Sequence, residues 1–146
     1  MSLDDIKAIP VAGVCTPDAH LWLWTTNTHL PEALEVVTAW GFQYKTLRTW
    51  DKGRMGLGWW LRSQTEHIIF AVRSNRYRQE PGAITTLFRA PWRGHSSKPM
   101  EELQPIIERL SPGPYLEMFA SADRGWPGWS FLVSNALPVG DPYGQG

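Results

Sequence analysis

Lys98 opens "KPMEELQPIIERL", which has the pattern of a helix. An ammonium there would add a cation to a helix N-terminus, where unpaired backbone N–H groups and the helix dipole already favour an anion. A lysine before a helix is ordinarily just solvated, so position alone assigns it no ligand. Two apolar segments end in small polar residues, "LWTTN" and "MFASADRG". In an open α/β sheet ligands bind beyond the carboxyl ends of the strands, so both ends are candidate sites. After the second, small residues would let a nucleotide-like ligand approach the backbone, and Asp123 could accept from its hydroxyls. A different chemistry is offered by "YKTLRTWDKGRMGLGWWLRSQ", where aromatics interleave with cations. Bases could stack on Trp59 and Trp60 while Arg54 and Arg62 hold phosphates. The alternative for tryptophan is core, and it is the expectation for Trp22 and Trp24 in "HLWLW" and for Trp50 at a strand end.

Other catalytic signatures are missing. There is no G-x-S-x-G elbow, "GRMGLGWW" fits neither a dinucleotide fingerprint nor a P-loop, and "EHIIF" is not H-E-x-x-H. Glu101 and Glu102 are adjacent on a helix, so they point different ways and make a poor carboxylate pair. His20, His29, His67 and His95 are scattered without ligand spacing, and the single cysteine, Cys15, forms no cluster with them, so no metal site is expected.

These residues need elements to hold them. "MSLDDIKAIP" reads as a short amphipathic helical turn: Ser2 caps, Asp4 and Asp5 lie near the positive end, Leu3 and Ile6 share a face, and Pro10 stops it. "AHLWLWTTN" is a buried strand by its continuous apolar run. "THLPEALEVVTAWGF" is a helix, with Thr28 as cap, Pro31 in the first turn, Leu34, Val37 and Trp40 on one side, and Gly41 as its stop. "FQYKTLRTW" and "EHIIFAVRS" are strands joined by the glycine-rich loop "DKGRMGLGWWLRSQ", and "GAITTLFRAP" is strand or extended chain. In the second long helix Ser97 caps, Pro99 enters, and Leu103, Ile106, Ile107 and Leu110 form the apolar stripe, with Pro105 expected to kink or shorten it. "PYLEMFA" and "WSFLVSN" are two further strands around the loop "SADRGWPG". The order predicts a layered α/β protein with mixed strand directions.

Composition bounds the class. At 146 residues, 42% hydrophobic and 19% charged, the chain suits one soluble globular domain burying about two-thirds of its unfolded surface. No apolar run approaches the roughly 20 residues of a membrane helix, and one cysteine cannot form an internal disulfide, so a cytoplasmic location is expected. The formal net charge is zero, yet Tyr44 to Lys98 holds eleven Lys or Arg against three acids. That segment could present a cationic face to a polyanion, or its charges could be ordinary solvated ones.

Together, "GWWLRSQTEHIIFAVRSN", "HSSKPMEELQPIIERLSPGPYLEMFA" and "GWPGWSFLVSN" resemble the adenine-N6 methyltransferases typified by the catalytic subunit of the messenger-RNA adenosine methyltransferase, the MT-A70 type. The resemblance spans nearly the whole chain. It implies a Rossmann-like sheet, S-adenosylmethionine as cofactor and methyl transfer to the exocyclic N6 of adenine in DNA or RNA. Residue by residue, it implies that Lys98 contacts the methionine moiety or its carboxylate, that Phe119 lies beside the cofactor, that Asn135 contacts the adenosine part, and that Glu117 is structural. Arg62 and the "GWW" residues fall near the acceptor site.

The departures are equally specific. Where the family has an arginine two residues past the phenylalanine, this chain has Ser121, and the terminal "GN" motif reads "SNA". The family's catalytic D-P-P-W is absent, and "MSLDDIKAIPV" matches the segment that follows it, so the chain reads as a longer protein's cofactor half, with one or more N-terminal strands missing. Residues 1–137 are then one partial methyltransferase-like domain and 138–146 a flexible tail, with no catalytic residue in the chain. The alternative is a non-catalytic subunit that binds nucleic acid or a protein partner.

Overall fold

The computed structural model describes residues 1–80, 82–94 and 98–133. The chain opens with a capping box: Ser2 Oγ accepts from the Asp5 N–H at 3.1 Å and the Asp5 carboxylate accepts from the Ser2 N–H at 3.0 Å, starting helix α1 (Leu3–Lys7). A 3-10 turn (Val11–Val14) leads to strand β1 (His20–Thr25), followed by helix α2 (Leu30–Ala39) and the strands β2 (Gln43–Asp51) and β3 (Thr65–Val72). A short strand β4 (Leu87–Arg89) precedes helix α3 (Met100–Leu110), and β5 (Tyr115–Ala120) and β6 (Trp129–Val133) close the described chain.

The fold is mixed α/β with strands in mixed directions. β1, β3, β2 and β4 form one sheet in that order; β3 is antiparallel to both neighbours, and β4 is parallel to β2. β5 and β6 pair in parallel as a separate sheet. The sequence reading leads to one layered sheet; among the described residues there are two, the larger edged by β1 and β4 and the smaller made of β5 and β6 alone.

Period-two alternation in β3 divides the core. Ile69 and Ala71 point to one side, where Val36 and Val37 of α2 and Trp40 at its end bury with Val11 and Phe42, and Leu3 and Ile6 of α1 pack against them. Trp40 also donates its Nε1–H to the Ile6 carbonyl at 2.9 Å, tying α2 to α1. Ile68 points to the other side, where Met100, Leu103 and Ile107 of α3 meet Trp50 and Phe88. Trp50 is 1% exposed and its Nε1–H reaches the Ala90 carbonyl at 2.8 Å, so burying the indole strands no donor. The small sheet shares both layers: Tyr115 and Trp129 pack on the α3 side, Met118 on the α2 side. Ser111, at the end of α3, is bonded to Trp22 Nε1 at 2.9 Å and His20 Nδ1 at 2.8 Å, fixing the start of β1.

Several local expectations change. Helix α2 is capped by position 29 without a side-chain bond, not by Thr28; the chain still turns there, with the His29 N–H on Thr26 Oγ1 at 3.3 Å. Its buried stripe is Ala33, Val36 and Val37, while Leu34 lies outside it, 38% exposed. Pro105 does not shorten α3, which runs on to Leu110. The proline is on the exposed face, where water can take the carbonyl that its missing N–H leaves free. Ser97 and the tail lie outside the described residues. Trp22 and Trp24 are half-buried at the margin of the α3-side core, whereas Trp50 lies fully inside it.

Candidate functional site

Three chain segments converge at one end of the large sheet. Trp50 of β2 stands opposite Glu66 of β3 in the antiparallel register, which puts the Glu66 side chain on the α3 side of the sheet. Lys52 follows β2, and Lys98 precedes α3. Each carboxylate oxygen of Glu66 takes one of these ammonium groups, Oε1 from Lys52 at 2.8 Å and Oε2 from Lys98 at 2.6 Å. Glu66 is only 7% exposed. Burial alone would push its carboxyl up, but Lys98 and then Lys52 outweigh that and hold it below the ordinary value of 4.5. Beneath the charges lies an aromatic floor. Lys98 Nζ is 5.4 Å from the Trp24 ring and Lys52 Nζ 5.7 Å from Trp50, and the two indoles meet edge to face at 5.8 Å.

On the opposite face of β3, His67 anchors the loop after β1. Asn27 donates Nδ2–H to the Thr65 carbonyl at 3.1 Å, so its Oδ1 faces His67 Nε2 at 2.6 Å as an acceptor. Nε2 therefore carries the proton, and Nδ1 accepts from Thr49 Oγ1 at 3.0 Å. Burial lowers the His67 pKa, against the pull of Glu66, and the neutral ring suits both bonds.

Phe119 sits at a β-bulge between Met118 and Ala120, with φ of 57°. A left-handed aromatic residue is uncommon, and the conformation leaves its ring 44% exposed at the end of β5. Ser121 follows, exposed. Glu117 pairs with Arg124 at 3.2 Å, and Arg124 lies 5.3 Å from the Trp126 ring. Asp123 accepts from the Gly125 N–H at 2.8 Å, so its carboxylate already serves a local turn.

The loop between β2 and β3 is closed by its own bonds. Arg62 Nε–H reaches the Gly56 carbonyl at 2.7 Å, and the Ser63 N–H reaches that of Leu57 at 3.2 Å. A methyl at Gly58 would overlap the Leu61 carbonyl, so the closure requires glycine there. Trp59 and Trp60 project from the loop at 101% and 97% exposure beside exposed Met55, Leu57 and Leu61. Arg54 lies over the Trp92 ring at 4.4 Å.

The residues singled out by sequence therefore fall into three places. Lys98 meets Trp24 from the "LWTTN" strand end, joining two candidate features. Phe119 and Ser121 lie at the end of β5, with no hydrogen bond, ion pair or ring contact to Lys98 among the described residues. Arg54, Trp59, Trp60 and Arg62 share the β2–β3 loop, and Asn135 lies outside the described residues. The basic middle segment is no single cationic face. Arg48 is buried with its Nε–H on the Thr85 carbonyl, Lys52 is in the buried bridge, and Arg73 Nη1 reaches the carbonyls of Ala12 and Cys15. Sequence reading missed Lys52 and Glu66. The available signal was an acid in phase with Ile68 on a core-facing strand, a place where a carboxylate requires a cationic partner. No helix among the described residues is long and apolar enough to cross a membrane.

Comparison with known proteins shows a match to the MT-A70 family over residues 1–132. The type II methyltransferase M.MunI of Mycoplasma sp is 26% identical over 137 residues, covering 91% of this chain and 58% of that protein. The Drosophila melanogaster N(6)-adenosine-methyltransferase MT-A70-like protein is 29% identical over 141 residues, covering 90% of this chain and 23% of that protein. The Homo sapiens N(6)-adenosine-methyltransferase catalytic subunit METTL3 is 30% identical over 138 residues, covering 88% of this chain and 23% of its own length. The chain thus corresponds to part of each relative. With the family match extending over nearly all of its length, the chain belongs to the MT-A70 family.

Proposed function

We propose that this chain is the cofactor-binding part of an S-adenosylmethionine-dependent adenine-N6 methyltransferase acting on DNA or RNA. The family match over residues 1–132 carries the reading. Its relatives named as methyltransferases and adenosine methyltransferases point the same way. The strand pattern is consistent with a Rossmann-like sheet: β1 and β2 run the same way, joined through α2, with antiparallel β3 between them. β1 and β5 are edge strands whose residues pack into the same two layers, which is compatible with a further strand between them. A strand with an acidic-Pro-Pro-aromatic motif, which these residues lack, would fit there and join the two sheets. On this reading residues 1–137 form one domain, and the chain alone turns over little or no substrate.

The residues fit the cofactor. The Lys98 side chain is 34% exposed and spends one N–H on Glu66, leaving donors for a carboxylate. Phe119 offers an exposed ring at a strand end, with Ser121 beside it, and Asn135 is assigned to the adenosine part by the family pattern alone. S-adenosylmethionine, when bound, supplies the electrophilic methyl group. Lys98 would hold the amino-acid carboxylate, Phe119 would limit where the nucleoside lies, and their work is alignment rather than proton transfer. Arg54 and Arg62, with Trp59 and Trp60, would receive the nucleic acid by phosphate contact and base stacking.

Titration calorimetry with S-adenosylmethionine tests this. Saturable one-site heat that Lys98→Ala abolishes is the expected result, and a folded chain that gives no heat overturns it. A second reading, a non-catalytic subunit for nucleic acid or a protein partner, is favoured by the five exposed apolar residues of the β2–β3 loop. Nucleic-acid binding without cofactor binding would select it.

A further inference from the structure

We infer that Glu66 is a positioning residue that fixes the Lys98 ammonium, so that the remaining donors of Lys98 take a single carboxylate of the ligand. The inference rests on the cofactor reading above. A lysine stem is long and flexible, and ordering it at the moment of binding subtracts from affinity. Here Glu66 Oε2, 2.6 Å from Nζ, and the Trp24 ring, 5.4 Å away, order it beforehand. The inner cation cannot do the same job. Lys52 occupies Oε1 at 2.8 Å, and its side chain is 11% exposed against 34% for Lys98, so only Lys98 opens outward. The charge is selective too. Two cations on one anion leave one positive unit, which a monoanionic carboxylate neutralises and a dianionic phosphate overcompensates.

Two ligands separate positioning from mere folding: S-adenosylhomocysteine, which carries the carboxylate, and 5′-methylthioadenosine, which lacks the amino-acid group. In calorimetric titrations of the 146-residue chain, Glu66→Gln should weaken the first about tenfold and leave the second within about twofold. In a Lys98→Met background it should add nothing. Equal losses for both ligands, or a full additional loss in that background, would mean a structural role and overturn the inference. Should Glu66→Gln fail to fold, Lys98→Met alone, which leaves Glu66 paired with Lys52, must show the same ligand-selective loss. Competition by inorganic phosphate as strong as that by the carboxylate ligand would overturn the monoanion assignment. A second readout needs no ligand: in lysine 13Cε–15Nζ correlation spectra, Glu66→Gln should shift the Lys98 signal, and an unmoved signal overturns the inference. A wild-type chain that binds neither ligand sinks the cofactor reading instead, and the Lys98 signal still decides the role of Glu66.

Discussion

Burial alone would raise the Glu66 carboxyl pKa, and two ammonium groups reaching it at 2.8 and 2.6 Å reverse that direction. The consequence for stability has a definite sign. Its carboxyl is held below the ordinary 4.5 in the folded chain, so its contribution is present above that value and lost as pH falls through the lower folded one. Denaturant unfolding of wild type and Glu66→Gln should differ by about 3 kcal/mol near neutral pH, the low end for a broken buried pair because Lys98 is partly exposed. That gap should close in acid, and a pH-independent gap would show that charge is not its source. Phe119 carries the opposite kind of cost. A non-glycine residue in the left-handed region is strained by about 1–2 kcal/mol, and its exposed ring recovers little by packing. Phe119→Gly should therefore keep or raise the melting temperature while weakening nucleoside binding. A clear loss of stability would mean the ring packs after all.

Among the elements, the β2–β3 loop separates folding from function most cleanly. Its shape is held by backbone bonds and by Arg62 on the Gly56 carbonyl, so the indoles of Trp59 and Trp60 bear none of the structure. Replacing both with serine should change stability by less than about 0.5 kcal/mol. In fluorescence-anisotropy titrations with single-stranded oligonucleotides the same change should cost about 1–3 kcal/mol for each base that stacks. Unchanged binding would remove the loop from the nucleic-acid reading. Much of the element layer was legible. Ser2 as the cap of α1, the stop of α2 at Gly41 with φ of 81°, and the core role of Trp50 follow from local signals. Thr28 and Leu34 did not follow, because the turn at Thr26 and the packing against β3 decided where α2 starts and which side it buries.

For the molecule as a whole, α3 is the joint. Leu103 is 1% exposed in a cluster containing Trp50, Ile68 and Phe88 of the large sheet, with Tyr115 and Trp129 of the small one packed against it. Leu103→Ala should cost about 2–5 kcal/mol. Tryptophan fluorescence and far-ultraviolet dichroism should still report one coincident transition, since both sheets lean on the same cluster. Two separate transitions would show that the small sheet folds apart.

The sequence by itself determined most element types, the α/β class and the family, because these rest on periodicity, caps and motifs within short windows. Tertiary structure decided the partners. That Lys98 meets a carboxylate 32 residues away, that this carboxylate is shared with Lys52, and that Arg48 and Arg73 turn inward depend on strand register and on how α3 crosses the sheet. No local pattern encodes them. The same holds for the division of the described strands into two sheets, since a strand's apolar pattern reports that it is buried and not which neighbour lies beside it.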